Sequence, residues 1–176
     1  GSRWRWFMGK AHVPSRRGRW RARLMALALA LLPWPNALAQ PAVATLDWTL
    51  AETLLALGVT PAGVAQRDAY HAWVTAPRLP ESSVDLGLRS QPNLERLASL
   101  APEKILITPM FANLAPRLAR IAPVTNLPLY VPDQATWPQL RELTRGVGRL
   151  VAREAAAEQL IDTTETRLAA LGEQLP

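Results

Sequence analysis

The chain has 176 residues, enough for one domain of ordinary size, and its 49% hydrophobic and 19% charged residues are typical of a globular protein. Residues 1–39 hold eight Lys or Arg and no Asp or Glu, whereas the remaining residues hold twelve basic and fourteen acidic side chains. The net charge of +6 therefore comes from the first 39 residues and is poor evidence for a nucleic-acid-binding surface on the rest. The sequence has no cysteine, which excludes disulfides and thiolate metal sites.

Residues 1–39 have the layout of an export signal. A basic stretch precedes an apolar run at 24–34, and small residues then place Ala37 and Ala39 at the −3 and −1 positions of a cleavage site after Ala39. The run is too short for a membrane-spanning helix, which needs about 20 residues. The pair Arg16-Arg17 leaves twin-arginine export open beside the Sec route. The alternative interpretation is a basic, Trp-containing arm for nucleic acid or membrane surfaces.

The first part of the body alternates predicted strands and helices. Residues 43–48 predict a short apolar strand. A capping-box pattern at 49–52 then predicts a helix over 50–58, which ends on a glycine. Residues 63–66 predict a second strand. The proline-interrupted stretch 67–83 predicts a loop.

The stretch DLGLRSQPNLERL at 85–97 contains one cation, Arg89, among turn-forming residues. It lies between a glycine and a proline that suits the first turn of a helix over 92–100. A guanidinium fixed in this way is either a loop clamp paired with Asp85 or Glu95, or a contact offered to a ligand.

The second half of the body begins with a predicted strand over 103–108, apolar enough to be buried on both faces. A short helix over 113–123 and a strand over 127–132 follow. Two amphipathic helices, over 138–151 and 153–175, come last without a strand after them. The alternation predicts an α/β fold, a parallel sheet with covering helices, in which ligands lie at the carboxyl ends of the strands.

No pattern in the sequence indicates a catalytic centre. The two histidines, His12 and His71, form no metal-ligand cluster, and there is neither a G-x-S-x-G elbow nor a P-loop. Residues 146–148 begin like a dinucleotide fingerprint, but they fall inside a helical pattern with Val151 where the last glycine should be. We therefore predict that the chain is not an enzyme.

Three stretches, 45–65, 70–97 and 118–123, resemble the periplasmic ferric-hydroxamate (ferrichrome-type) siderophore-binding proteins, the substrate-binding components of ABC importers. The most specific part is GLRSQPNLE with the AWVTAP that precedes it. The resemblance covers nearly all of residues 43–176 and implies a fold of two α/β lobes joined by one long helix, with the ligand in a shallow cleft between them.

The resemblance also implies a division of the chain. We expect a leader over 1–39, an N-terminal α/β lobe over 40–134, and amphipathic helices over 135–176 that include the long inter-lobe helix. The chain is thus expected to be the first lobe of a two-lobe, helix-linked binding protein, with the second lobe absent. Export would place it in the periplasm.

The resemblance implies a set of ligand-binding residues. The ligand-binding arginine of the family falls on Arg89, and the Trp in its preceding loop falls on Trp73. Phe111 occupies the position that carries a hydrogen-bonding Tyr in the best-known members. Trp48 is shared with the family and either borders the cleft or packs in the core. Pro116 falls near the position of an acidic residue that docks this lobe to the permease.

The implied ligand fits these residue types. In a ferric hydroxamate the chelator's oxygens already saturate the iron, so the protein needs no cofactor and no metal ligands, and iron enters only within the siderophore complex. A planar guanidinium donates well to those oxygens, and aromatic rings cover the chelator's apolar backbone. We predict capture of ferrichrome-like, coprogen-like, ferrioxamine-like or related chelates for an inner-membrane ABC permease. The alternative is a truncated remnant that folds but does not bind ligand.

Overall fold

A five-stranded sheet lies at the centre of the computed structural model, which describes residues 40–174. Its strand order is β3-β2-β1-β4-β5, and every pairing is parallel. The export signal predicted over 1–39 lies outside the described residues. The strands are β1 (Val43–Thr45), β2 (Gly63–Val64), β3 (Val84–Asp85), β4 (Lys104–Ile107) and β5 (Val124–Asn126).

Helices connect the strands and cover both faces of the sheet. None of the helices within residues 40–174 is both long and apolar enough to cross a membrane. The helices are α1 (Trp48–Ala56), α2 (Arg67–Trp73), α3 (Leu94–Ser99), a 3-10 helix (Pro109–Leu114) that leads into α4 (Ala115–Leu118), α5 (Thr136–Leu150) and α6 (Glu154–Gln174).

The core has two main layers because successive side chains of a strand point to opposite faces. On one face, Val43 and Leu106 pack with apolar residues of α1 and α5. On the other, Ala44 and Ile105 pack with residues of α3, the 3-10 helix and α4. Both faces of β1 and β4 are buried, as expected for central strands of a parallel sheet. The predicted α/β fold with a helix-covered parallel sheet is confirmed.

The first helix begins earlier than the sequence pattern predicts. β1 ends at Thr45, and Trp48 is the first residue of α1 rather than the last of a strand. Asp47 caps the helix, since its Oδ1 accepts from the backbone N–H groups of Thr49 at 2.8 Å and Leu50 at 3.2 Å. The capping box predicted at 49–52 is therefore wrong.

Two elements lie in stretches that were predicted as loops. The prediction of a loop over 67–83 is wrong in its first part, because α2 occupies Arg67–Trp73. Its packing explains the difference: Tyr70 is fully buried. The two-residue strand β3 was also missed, because two residues show no periodicity and this strand depends on its pairing with β2.

The last strand lies earlier in the chain than predicted. β5 is Val124–Asn126, whereas the pattern predicted 127–132. Leu127 and Leu129 are apolar because they pack in the core layer that includes α5. The alternation of these two leucines arises because both side chains pack against a helix, and not because the segment is a strand.

The two C-terminal helices are confirmed with small shifts of their ends. They pack closely at Gly148, where a Cβ would lie 2.7 Å from Ala157 Cβ, so residues 146–148 belong to a helix interior and not to a nucleotide-binding loop. The Arg145 guanidinium bridges the helices by donating to Glu158 Oε1 at 2.7 Å. The division between 40–134 and 135–176 stays a prediction.

Candidate functional site

The strand order creates a switch point beside β1. The chain proceeds from β1 to β2 and β3 on one side, and β4 and β5 lie on the other. Loops that leave the carboxyl ends of β1 and β4 therefore diverge, and ligands of open α/β sheets bind at such a point. Trp48 follows β1 there, and Thr108 and Met110 follow β4. Arg89 follows β3 at the same edge of the sheet.

Trp48 is fixed at this edge by contacts on two sides. Its indole Nε1–H donates to the carbonyl oxygen of Ala65 at 3.0 Å. The ring of Tyr70 meets it edge to face, with 6.3 Å between ring centroids and 87° between planes. Asp47, which caps α1, also accepts from the Thr108 hydroxyl at 2.7 Å and so joins the loops after β1 and β4. Trp48 is half-buried and presents a ring face to its surroundings.

Arg89 lies over that face of Trp48. The guanidinium carbon is 4.3 Å from the centroid of the Trp48 ring, a cation–π geometry. The Arg89 Nε–H donates to Gln66 Oε1 at 3.3 Å, and the backbone N–H of Arg89 lies 3.4 Å from the same oxygen. Within residues 40–174 the two terminal amino groups of Arg89 make no hydrogen bond and no ion pair. The ion pair with Asp85 or Glu95 that a loop clamp would require is thus not formed in the described part of the chain.

The loop that carries Arg89 is itself well fixed. Gly87 has φ +84°, a left-handed conformation that favours glycine. Its N–H donates to Asp85 Oδ1 at 2.8 Å, and its carbonyl accepts from Gln66 N–H at 2.8 Å. The N–H of Asn93 donates to the carbonyl of Leu86 at 2.7 Å and closes the loop in front of α3. Little backbone freedom remains around Arg89.

The other two predicted site residues lie in contrasting environments. Trp73 ends α2 with 81% of its surface exposed, and among the described residues it stacks on no other aromatic ring. Phe111 is only 5% exposed and packs in the core layer of α3 and α4. Its neighbour Met110, at 63% exposure, has the outward position after β4. Of the four predicted site residues, the structure brings Trp48 and Arg89 into contact; the ligand-binding roles of all four stay predictions.

Sequence reasoning missed three residues of this edge. Gln66 contacts Arg89 and has φ +49°, and no local pattern singles it out. Tyr130 is 59% exposed, and its hydroxyl lies 3.4 Å from Thr49 Oγ1. Met110 and Tyr130 both follow strands, so the rule that parallel sheets bind ligands at their carboxyl ends was the available signal for them.

The side chains at this edge offer hydrogen-bond donors and aromatic rings rather than metal ligands. Within residues 40–174, no three His, Cys, Asp or Glu side chains are grouped so that they could hold a metal ion. Burial, and then the charge of Asp47, raises the pKa of Glu52. Burial, and then the charge of Glu52, raises the pKa of Tyr70 to about 12, and its hydroxyl donates to the Pro77 carbonyl at 2.6 Å. A guanidinium edge without a partner in the described part of the chain, beside aromatic surface, suits an oxygen-rich ligand with an apolar backbone.

A separate apolar cavity of about 540 Å³ lies between the segment after β5 and α5. Pro128, Val131 and Leu143 are among its lining residues, and neither Trp48 nor Arg89 is. We place the candidate site at the switch point and not in this cavity, because Arg89, whose terminal amino groups have no partner within residues 40–174, lies there on the fixed Trp48 ring.

Comparisons with known proteins, by sequence and by structure, both find periplasmic or siderophore-binding proteins. The periplasmic binding protein family matches residues 43–176. The chain is 40% identical over 109 residues to the iron(3+)-hydroxamate-binding protein FhuD of Escherichia coli strain K12. The aligned region covers 58% of this chain and 37% of that protein. It is 33% identical over 167 residues to the achromobactin-binding periplasmic protein of Dickeya dadantii, which covers 88% of this chain and 52% of that protein.

The fold is similar to that of a solved siderophore-binding protein. The crystal structure of FhuD from Vibrio cholerae with bound Fe3+–Desferal matches with a TM-score of 0.71 and 34% identity, over 77% of this chain and 51% of that one. The chain therefore spans about half, or less, of the length of these relatives. The parallel sheet that the structure describes within residues 40–174 corresponds to one lobe of such a protein.

Proposed function

The chain belongs to the periplasmic binding protein family, and from this premise we propose that it supplies the first lobe of a protein that captures ferric hydroxamate siderophores in the periplasm. Delivery of the captured chelate to an inner-membrane ABC permease is part of the same proposal. The family consists of binding proteins and not of enzymes, which agrees with the prediction from sequence. Hydroxamate is favoured as the ligand class because a relative at 40% identity carries it in its name and a structural neighbour binds Fe3+–Desferal.

One observation carries the proposal: Arg89 is fixed on the face of Trp48 while its terminal amino groups have no partner among residues 40–174. A half-buried charge is stabilised by a hydrogen-bonding partner, and a ligand with negatively charged oxygens would supply one. The rim oxygens of a ferric hydroxamate carry partial negative charge, and two adjacent N–H groups in a fixed plane match such a rim. The exposed Met110 and Tyr130 offer apolar surface for the chelator's backbone.

Binding then requires no metal ligand from the protein. The chelator keeps the iron, and the protein recognises the outside of the complex by charge-assisted hydrogen bonds and by contact with rings. Because the loop around Arg89 is already ordered, little conformational entropy is lost when the ligand arrives. The other wall of the cleft is proposed to come from the second lobe of a full-length binding protein.

The proposal is tested by titrating the chain with ferric Desferal while following its tryptophan fluorescence. Loss of one charge-assisted hydrogen bond corresponds to about 1.5–3 kcal/mol, so Arg89→Ala should weaken binding roughly 10- to 150-fold. Arg120→Ala removes an equally basic but exposed side chain and should leave the affinity unchanged. Iron-free Desferal should bind much more weakly than the ferric complex.

Equal affinities of the original chain and Arg89→Ala would remove Arg89 from the site. If the folded chain binds no ferric chelate, this lobe does not capture the ligand on its own, as the alternative of a folded remnant expects.

We also propose that residues 1–39 direct export and are removed after Ala39. Expression in a Gram-negative host followed by cell fractionation and N-terminal sequencing should give a periplasmic protein that begins at Gln40. Accumulation of the uncleaved chain in the cytoplasm would contradict this.

A further inference from the structure

The turn that follows β2 contacts both members of the Arg89–Trp48 pair. The carbonyl of Ala65 accepts from the Trp48 indole at 3.0 Å. The next side chain, Gln66, accepts from Arg89 Nε at 3.3 Å through Oε1. Two consecutive residues therefore fix the ring and the cation that lies on it.

We propose that Gln66 is a positioning residue, which orients the Arg89 guanidinium on the Trp48 ring so that its two terminal amino groups face outward. The effect of Gln66 on ligand affinity rests on the proposed function. Its effect on the orientation of the Arg89 side chain does not.

The backbone of Gln66 is adapted to this contact. It has φ +49° and ψ +57°, a left-handed conformation that is uncommon for a residue other than glycine. Its N–H donates to the carbonyl of Gly87 at 2.8 Å, which ties the turn to the loop that carries Arg89. Gln66 thus contacts the same loop at two places: its backbone at Gly87 and its side chain at Arg89. A conformation of this kind is retained where surrounding contacts stabilise it.

The choice of atom on the guanidinium matters for ligand recognition. Gln66 engages Nε and leaves both terminal nitrogens free within residues 40–174. These are the two nitrogens that together form the outer edge of the guanidinium fork. An amide oxygen is also uncharged, so it orients Arg89 without neutralising it. A carboxylate in the same place would compete electrostatically with the oxygens of a ligand.

Removal of this contact should release the Arg89 side chain rather than unfold the chain. Immobilising a long side chain on binding costs about 0.5–1.5 kcal/mol, so a freed Arg89 should weaken ligand binding about 2- to 12-fold. This effect is smaller than that of Arg89→Ala and depends on Arg89 being present.

The structural test uses the arginine Nε–H signals in ¹⁵N NMR spectra of the chain. Gln66→Asn retains an amide and tolerates the left-handed conformation, but its side chain is one methylene shorter. It should shift or broaden the Arg89 Nε–H signal, assigned by its loss in Arg89→Lys. Gln66→Glu keeps an acceptor at the same reach and should retain the signal. Gln91→Asn, the same shortening at an exposed glutamine of the same loop, should change nothing.

The binding test is a double-mutant cycle with ferric Desferal as the probe. Gln66→Asn should weaken binding 2- to 12-fold in the original chain and less than 2-fold in an Arg89→Ala background, because Gln66 acts through Arg89. An unchanged Arg89 signal in Gln66→Asn, or an equal loss of affinity in both backgrounds, would overturn the positioning role. If Arg89→Ala itself leaves the affinity unchanged, the proposed function fails, while the NMR result still decides the role of Gln66.

Discussion

The carboxylate of Asp47 joins the start of α1 to the end of β4, and we expect Asp47→Ala to lower the free energy of unfolding by about 2–4 kcal/mol. Asp47 is 5% exposed and accepts three hydrogen bonds, from the N–H groups of Thr49 and Leu50 and from the Thr108 hydroxyl. Loss of an N-cap costs about 0.5–2 kcal/mol. The substitution also leaves the buried Thr108 hydroxyl without a partner, which costs about 1–3 kcal/mol.

The double variant separates these two contributions. Thr108→Val has nearly the same shape and removes the donor, so in its background Asp47→Ala should cost only the cap. The sum of the two single effects should therefore exceed the effect of the double variant by the cost of the unpartnered hydroxyl, about 1–3 kcal/mol.

The assay is urea unfolding followed by circular dichroism, with m-values compared to verify that the unfolded states are equivalent. Asp162→Ala, on the exposed face of α6, is the control and should change stability by less than about 0.5 kcal/mol. Strict additivity of Asp47→Ala and Thr108→Val, or an Asp47→Ala effect no larger than the control, would refute the proposed link between the two loops.

Three further outcomes are expected. Gly87→Ala should lose about 1–2 kcal/mol in urea unfolding because φ is +84°, whereas Gly172→Ala, in a helix with open space around it, should gain about 0.5–1 kcal/mol; equal effects would refute the conformational argument. Burial raises the pKa of Tyr70 from 10.0 to about 12, so Tyr70 ionises first in the unfolded chain and the free energy of unfolding should fall as the pH rises from about 10 to 12. Tyr70→Phe should not show this fall, and identical pH profiles of the two proteins would contradict the prediction. Arg145 lowers the pKa of Glu158, so this ion pair should stabilise the fold above the ordinary glutamate pKa and stop doing so at lower pH. The stability of Glu158→Gln should not show this decrease at low pH. If the difference in stability between the two proteins does not change in 1 M salt, the contact is not acting as an ion pair.

The candidate site was predicted in part because its motif is local in sequence. The stretch around Arg89 contains the glycine, the turn formers and the helix start that fix its loop, and all of them lie within residues 85–97. The resemblance to the siderophore-binding family rests on the same stretch, and the family match over 43–176 confirms it. The partner of Arg89 could not be read in this way, since Gln66 lies 23 residues earlier in the chain.

The roles of two aromatic residues depended on packing that no local pattern contains. Phe111, and not Met110, was predicted to lie on the ligand surface after β4. The 3-10 helix instead turns Phe111 into the core and leaves Met110 exposed. Trp48 was predicted at a strand end, but the cap at Asp47 starts a helix there and the indole bonds to the β2 turn. In both cases an element boundary three or four residues from its predicted position redirects the side chain.

By itself, the sequence determined the α/β class, the buried strand within 103–108, the two C-terminal amphipathic helices and the loop that presents Arg89, because periodicity and turn chemistry act over a few neighbouring residues. Only the tertiary structure decided the two-residue strand β3, the helix α2, the position of β5 and the contacts of Arg89 with Gln66 and Trp48. Very short strands are stabilised by the ladder of the neighbouring strand, and a site at the carboxyl edge of a parallel sheet is assembled from loops that are distant in the chain.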